Sequence, residues 1–233
     1  MSLPLVILAG GLGTRLGGIT RTVPKALVDV NGEPFVAHQL RLIRAHGIRH
    51  VVLCVSYLGE MIRDYLGDGS RFDVNVTYSF DGPVLLGTAG AIARALPLLD
   101  ERFFVMYGDS YLECDYQRIA DEFVASGKLG MMTVFRNEGA YDTSNVEFRD
   151  GQIVAYDKKH RTAGMQYIDY GLGLFHHSAF DHLPGDQPYD MAVLYQDLLA
   201  RDELAAHEVD RRFYEIGSVA GLEELATHLS TRR

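Results

Sequence analysis

The chain has 233 residues, 47% of them hydrophobic, which suits one domain of ordinary size with a substantial core and excludes a disordered chain. Its 22 Lys and Arg against 31 Asp and Glu give a net charge of −9, which argues against a surface built to neutralise nucleic acid or an anionic membrane. The charge is uneven: residues 1–50 carry net +4 and the remainder −13, so an anionic ligand is expected to meet the first fifth of the chain.

Leu3 to Ala9 is a continuous apolar run ending at Gly10-Gly11, the pattern of a strand buried on both faces of a parallel sheet. It is too short for a signal or membrane-spanning segment and no basic stretch precedes it, so a soluble, cytoplasmic chain is expected. Further strands are read at Val51 to Val55, Val74 to Tyr78, Phe103 to Tyr107 and Met131 to Phe135. Segments of helical periodicity alternate with them at Phe35 to Ala45, Glu60 to Leu66, Thr88 to Leu99 and Tyr116 to Ala125. This alternation predicts an α/β fold: an open, mostly parallel, Rossmann-like sheet with helices on both faces. Cys54 sits in a buried run far from Cys114, the cysteine usage of a reduced compartment, and is read as inert.

After residue 135 the pattern changes. Asn145 to Phe148, Ile153 to Tyr156 and Gln166 to Phe175 are strand-like and joined by turns, which predicts an antiparallel extension on the substrate side. A helix is expected at Tyr189 to Leu199, a last short strand at Arg212 to Ile216 and a closing amphipathic helix at Val219 to Leu229. With no Pro/Gly/Ser linker, residues 1–233 read as a single domain, with an α/β core over 1–135 and the extension over 136–233. No hexapeptide repeat is present, and an appended β-helix domain is not expected.

The most informative stretch is Leu8-Ala9-Gly10-Gly11-Leu12-Gly13-Thr14-Arg15-Leu16. A glycine-rich turn after a strand lets backbone N–H groups face phosphate oxygens without obstruction by a Cβ. No Gly-Lys-Ser/Thr follows, which excludes a Walker loop, and Leu16 stands where a dinucleotide fingerprint needs its third glycine. Two cations follow at a fixed offset, the fork of Arg15 and the point charge of Lys25 behind Pro24, a pair suited to a polyphosphate. Asp109 ends the strand Phe103 to Tyr107 through Gly108, at the edge where open α/β sheets bind ligands. Its bland alternative is a helix N-cap. The nine histidines show no metal-ligand spacing.

Gly10-Gly11-Leu12-Gly13-Thr14-Arg15-Leu16 followed by Pro24-Lys25-Ala26-Leu27 resembles the signature of the sugar-1-phosphate nucleotidyltransferases. The likeness runs along the chain to Tyr214-Glu215-Ile216-Gly217-Ser218. It implies the conversion of a nucleoside triphosphate and a sugar 1-phosphate into a nucleotide sugar and pyrophosphate, with Mg²⁺. Carried over, Gly10 to Gly13 with Leu8, Ala9 and Thr14 would cradle the triphosphate, Arg15 would hold the β and γ phosphates, and Lys25 would lie near the α-phosphate. Gly108-Asp109 matches the family's Gly-Asp, by which resemblance Asp109 would be a metal ligand. Its partner in the family is an aspartate, and here Glu215 stands in that place. Asp81, Gly87 and Thr88 match the segment that meets the base, in a loop about one residue longer than the common pattern. Lys159 aligns with the lysine that contacts the sugar's phosphate, while Lys158 replaces the usual glutamate, and either could make the contact. Asp169 and Gly171 match the sugar pocket, where Asp169 could accept two hydrogen bonds from vicinal hydroxyls, with Asn145 on the same face.

Gly108-Asp109-Ser110-Tyr111 and Tyr57-Leu58-Gly59 look most like the heptose-1-phosphate guanylyltransferase branch, which points to GTP. Uridylyl or thymidylyl transfer to a hexose or amino sugar is the alternative within the family. Outside it stand a non-catalytic nucleotide-sugar-binding regulator, suggested by Glu215 and Lys158, and a dinucleotide oxidoreductase, disfavoured by the missing third glycine.

Overall fold

The computed structural model describes residues 2–11, 22–183 and 187–231. In chain order the elements are β1 (Leu5–Leu8), β2 (Asp29–Val30), β3 (Glu33–Pro34), α1 (Phe35–Ala45), β4 (His50–Val55), α2 (Gly59–Leu66), β5 (Asn75–Phe80), α3 (Gly87–Ala95), β6 (Arg102–Tyr107) and β7 (Ser110–Tyr111). They continue with α4 (Tyr116–Ser126), β8 (Gly130–Arg136), β9 (Val146–Arg149), β10 (Gln152–Tyr156), β11 (Tyr167–His176), α5 (Met191–Ala200), β12 (Leu204–Val209), β13 (Tyr214–Glu215) and α6 (Val219–Ser230).

Four strands form the parallel core: β1 pairs with β4 on one side and β6 on the other, and β5 pairs with β4. The whole sheet has nine strands in the order β10-β9-β11-β6-β1-β4-β5, with β8 beside β11 and β12 beside β8. Side chains alternate across it as a pleated strand requires. Leu5 and Ile7 enter a core shared with Leu40, Ile43, Ile62, Ile119 and Phe123 of α1, α2 and α4. Val6 enters the opposite core with Ile92 of α3 and Met191, Leu194 and Leu198 of α5. Helices therefore cover both faces, and β1, β4 and β6 read as largely apolar runs because they are buried on both sides, whereas the edge strand β5, Asn-Val-Thr-Tyr-Ser-Phe, mixes apolar and polar residues.

The antiparallel extension is where the alternation stopped, but its wiring differs from a simple addition at the edge. Strand β11 runs antiparallel between β6 and β8, so β8 lies outside the parallel core although it ends the strand–helix alternation. β12 pairs parallel with β8, and its sequence Leu-Ala-Ala-His-Glu-Val carries little β-branched signal; pairing with a neighbour made it a strand. The helix expected over Thr88 to Leu99 ends as α-helix at Ala95, and Pro97 turns the remainder into a 3₁₀ segment, Leu96–Leu98. The last strand does not join the sheet: β13 makes a two-stranded ladder with β7.

Candidate active site

The strands of the parallel core end on one side of the sheet and deliver a functional group each: Asp109 beyond β6, Gly10 beyond β1, Ser56 beyond β4 and Asp81 beyond β5. With strands about 4.8 Å apart, Asp109 and Asp81 stand roughly 14 Å from each other along this edge. A cavity of about 410 Å³ lies over it. Leu8, Ala9, Gly10, Gly11, Asp81, Gly87, Thr88 and Gly108 line it together with Lys25 and Asp109, so the structure brings together every described residue expected at the nucleotide and the reacting phosphate. Gly13, Thr14 and Arg15 lie outside the described residues.

The residues after β1 are held from the neighbouring strand. The Ala9 N–H donates to Cys54 O at 2.8 Å and the Ser56 hydroxyl donates to Gly10 O at 2.5 Å. Gly108 sits where a Cβ would stand 2.4 Å from Leu8 O, so only glycine lets β1 and β6 finish side by side. Lys25 opens a short 3₁₀ turn, Lys25–Leu27, and its Nζ lies 2.7 Å from Asp109 Oδ2. Asp109 caps no helix, because the next element is strand β7, which removes the N-cap explanation of this residue. At the far end Asp81 is buried and accepts the Leu86 N–H at 3.3 Å; burial raises its pKa above the usual carboxylate range. Burial likewise pushes the Cys54 thiol up, so this wall of the cavity is chemically quiet. Gly90 packs against Leu86 and Gln187 rather than the cavity.

A second cavity, of about 390 Å³, shares Tyr107 and Asp109 with the first. Asn145, Lys158, Asp169, Gly171 and Glu215 line it; Lys159 does not, and its N–H donates to Asp157 Oδ1 in the turn. Of the two lysines, Lys158 is therefore the one in the cavity, with its Nζ 5.5 Å above the Tyr107 ring. Strand β11 breaks register between Asp169 and Gly173. Such bulges aim side chains off a ladder, and this one needs the left-handed backbone of Gly171 at φ +97°. Within it Asp169 Oδ1 accepts the Gly171 N–H at 3.0 Å, Oδ2 accepts the Tyr107 hydroxyl at 3.4 Å, and the Asp169 N–H donates to Asn145 Oδ1 at 3.0 Å. Both oxygens expected to read sugar hydroxyls thus already serve the protein, and Asn145 braces the strand. Burial raises the pKa of Asp169, and that of Tyr107.

Glu215 reaches this cavity through β13. Ser110 pairs with Glu215, the Ile216 N–H donates to Asp109 O at 2.9 Å, and Glu215 Oε2 accepts the Gly217 N–H at 3.2 Å. Among the described residues no three His, Cys, Asp or Glu side chains group as a metal site. Asp109 and Glu215 are instead two hard carboxylates on one cavity, a set that suits an ion completing its shell with water and phosphate oxygens. Tyr107, Arg161, Asp142 and Thr143 also line it and were not singled out from sequence. Tyr107 was within reach, lying two residues before Asp109 at the end of a strand; the other three sit on turns without periodicity.

An open α/β sheet with glycines, a cation and a carboxylate at its carboxyl edge, and a second polar cavity meeting the first, is the arrangement of a nucleotide-binding α/β fold. The nucleotidyl transferase family model matches residues 5–230, and the chain belongs to that family. Its relatives are sugar-1-phosphate nucleotidyltransferases. The D-glycero-alpha-D-manno-heptose 1-phosphate guanylyltransferase of Campylobacter jejuni is 29% identical over 91% of this chain and 93% of its own length. The UTP–glucose-1-phosphate uridylyltransferase of Synechocystis is 30% identical over 80% of this chain, which spans about half (52%) of that protein. In structure, HddC from Yersinia pseudotuberculosis, solved with GMP-PN, superposes with a TM-score of 0.82 at 24% identity, over 97% of this chain and 99% of that one. Among the described residues no helix is long and apolar enough to cross a membrane.

Proposed function

We propose that the chain catalyses attack of a sugar 1-phosphate on the α-phosphorus of a nucleoside triphosphate, giving a nucleotide sugar and pyrophosphate. A bond forms from a sugar-phosphate oxygen to the α-phosphorus, and the bond from that phosphorus to the α–β bridging oxygen breaks, its electron pair leaving with pyrophosphate. The observation that carries this reading is the meeting of two cavities at Asp109 and Tyr107, with Lys25 against Asp109. One cavity suits a nucleotide laid along the sheet edge, with its base toward Asp81 and its α-phosphate toward Lys25. The other suits a sugar phosphate, with Lys158 for its charge.

The difficulty of the reaction is to bring two anions together. A phosphate monoester oxygen is already ionised at neutral pH, so the chain needs no nucleophile or general base of its own. Lys25 offsets the charge where the substrates meet, the N–H groups of Gly10 and Gly11 face the triphosphate, and the role proposed for Arg15, with Gly13 and Thr14, is to hold its β and γ phosphates. Asp109 and Glu215 are the residues that would hold Mg²⁺, which when bound would shield the phosphates and polarise the α-phosphoryl group. The two cysteines are free, and we assign the reaction to a reduced, cytoplasmic compartment.

For substrates, we propose GTP with a heptose 1-phosphate as the first pair to test, because the Campylobacter relative matches nearly end to end. UTP with a hexose or amino-sugar 1-phosphate is the second, favoured by the Synechocystis relative. The test is pyrophosphate release across a matrix of nucleoside triphosphates and sugar 1-phosphates with Mg²⁺. One pair is expected to release pyrophosphate, and Asp109→Asn is expected to abolish that release while leaving the thermal unfolding midpoint near wild type. Release from no pair sinks the proposal, and full activity of Asp109→Asn removes Asp109 from the metal.

A further inference from the structure

Of the two carboxylates proposed for Mg²⁺, Glu215 lies in the β7–β13 ladder and Asp109 immediately precedes β7; the ladder pairs Tyr111 with Tyr214 and Ser110 with Glu215. Two strands this short are not stable on their own in water, so other parts of the molecule must hold them in place. One support is apolar: Tyr111 and Ile216 pack with Val30, Phe35 and Leu225. A polar support comes from α1, where the Gln39 Nε2 donates to Ser110 O at 2.8 Å.

Gln39 is fully buried, and its Oε1 has no hydrogen-bond partner among the described residues. Turning the amide over would not relieve this, since Oε1 would then face the Ser110 carbonyl with no proton between two acceptors. A buried acceptor left unpaired is a standing cost that an apolar residue of the same length would not carry. The neighbouring residue does comparable work for the other reacting group. His38 Nε2 lies 2.9 Å from Val30 O, and the Phe35 N–H donates to Val28 O at 2.9 Å, which ties the segment following Lys25 to the same helix.

We propose that Gln39 is a positioning residue: it fixes β7 to helix α1 and thereby sets the directions of the Asp109 and Glu215 carboxylates relative to Lys25. Consecutive residues of one helix, His38 and Gln39, then hold the two sides of the Lys25–Asp109 contact in a common frame. The contact is independent of the reaction, and only its consequence for turnover rests on the function proposed above.

The experiment compares wild type with Gln39→Met, which keeps the length and removes the amide. Hydrogen exchange at residues 110–112 and 214–217 is followed by mass spectrometry. Mn²⁺ binding is followed by paramagnetic resonance with a non-hydrolysable nucleotide present, and steady-state kinetics are measured with the active pair. The variant is expected to fold with an unfolding midpoint close to wild type and to lose exchange protection about tenfold at the ladder alone. It should bind Mn²⁺ about tenfold more weakly. Its kcat should fall about 10- to 100-fold at an unchanged nucleotide KM, the scale of effect that a small misplacement of reacting groups produces. Unchanged protection at the ladder overturns the inference whatever the activity. Lost protection with normal kcat and normal Mn²⁺ binding overturns it too, as does a variant that fails to fold, which would mark Gln39 as an ordinary core residue. A wild type without turnover would refute the proposed reaction while exchange and Mn²⁺ binding still decide the role of Gln39.

Discussion

Asp169 is a carboxylate that shapes the sugar-side cavity from within the β11 bulge, engaged by the Gly171 N–H and the Tyr107 hydroxyl, and its pKa is raised by burial. A raised folded-state pKa means that the folded chain keeps this proton at pH values where the unfolded chain has released it. Stability contributed by the group is therefore present at low pH and lost as pH rises through the raised value. Asparagine keeps an acceptor oxygen for the Gly171 N–H, can turn its amide N–H toward the Tyr107 hydroxyl oxygen, and carries no charge. Asp169→Asn is expected to raise the thermal unfolding midpoint at pH 7, with the gain shrinking as pH falls through the raised pKa toward about 4, the ordinary carboxylate value. Melting curves across that range check it, and a gain independent of pH would show that desolvated charge is not the cause. At this scale the sequence was informative where a residue type is costly or rare: Lys25 behind a proline, Asp109 at the end of an apolar strand. It was silent for Arg161, Asp142 and Thr143, whose place in the cavity depends on how two turns fold over it.

Among elements, the parallel core was legible because β1, β4 and β6 are largely apolar runs, and a buried run of that length has few other uses, while β5 showed itself by its β-branched and aromatic residues. The ladder of β7 and β13 was not, since two-residue strands have no period to read and their pairing joins residues about a hundred positions apart. The same limit hid β12 and the insertion of β11 between β6 and β8. Gly108 shows how closely the core elements converge on the site. An added Cβ would meet the backbone of β1 rather than the flexible end of a side chain, so the strands themselves must part. Gly108→Ala is expected to destabilise the fold by about 1–3 kcal/mol, the usual scale for overpacking. It should also weaken binding of the triphosphate, because the glycine turn follows β1. Urea denaturation and nucleotide titration measure the two effects, and wild-type values in both would show that β1 and β6 can separate freely.

Across the whole molecule, the uneven charge now has a structural counterpart. Lys25, from the basic first fifth, meets Asp109 where the two cavities join, while the second cavity is built mainly by the antiparallel extension and carries Lys158 among four carboxylates. If the two halves bind the two substrates separately, a change confined to the extension should leave the nucleotide untouched. Lys158→Ala is expected to raise the KM for the sugar 1-phosphate tenfold or more, roughly the loss of one charge-assisted contact to phosphate. Calorimetric titration with a non-hydrolysable nucleoside triphosphate should give the wild-type affinity. Lys159→Ala, outside the cavity, should behave as wild type in both assays. An equal loss from both lysines would mean that the turn rearranges when substrate binds, and a loss of nucleotide affinity in Lys158→Ala would mean that the two cavities act as one site.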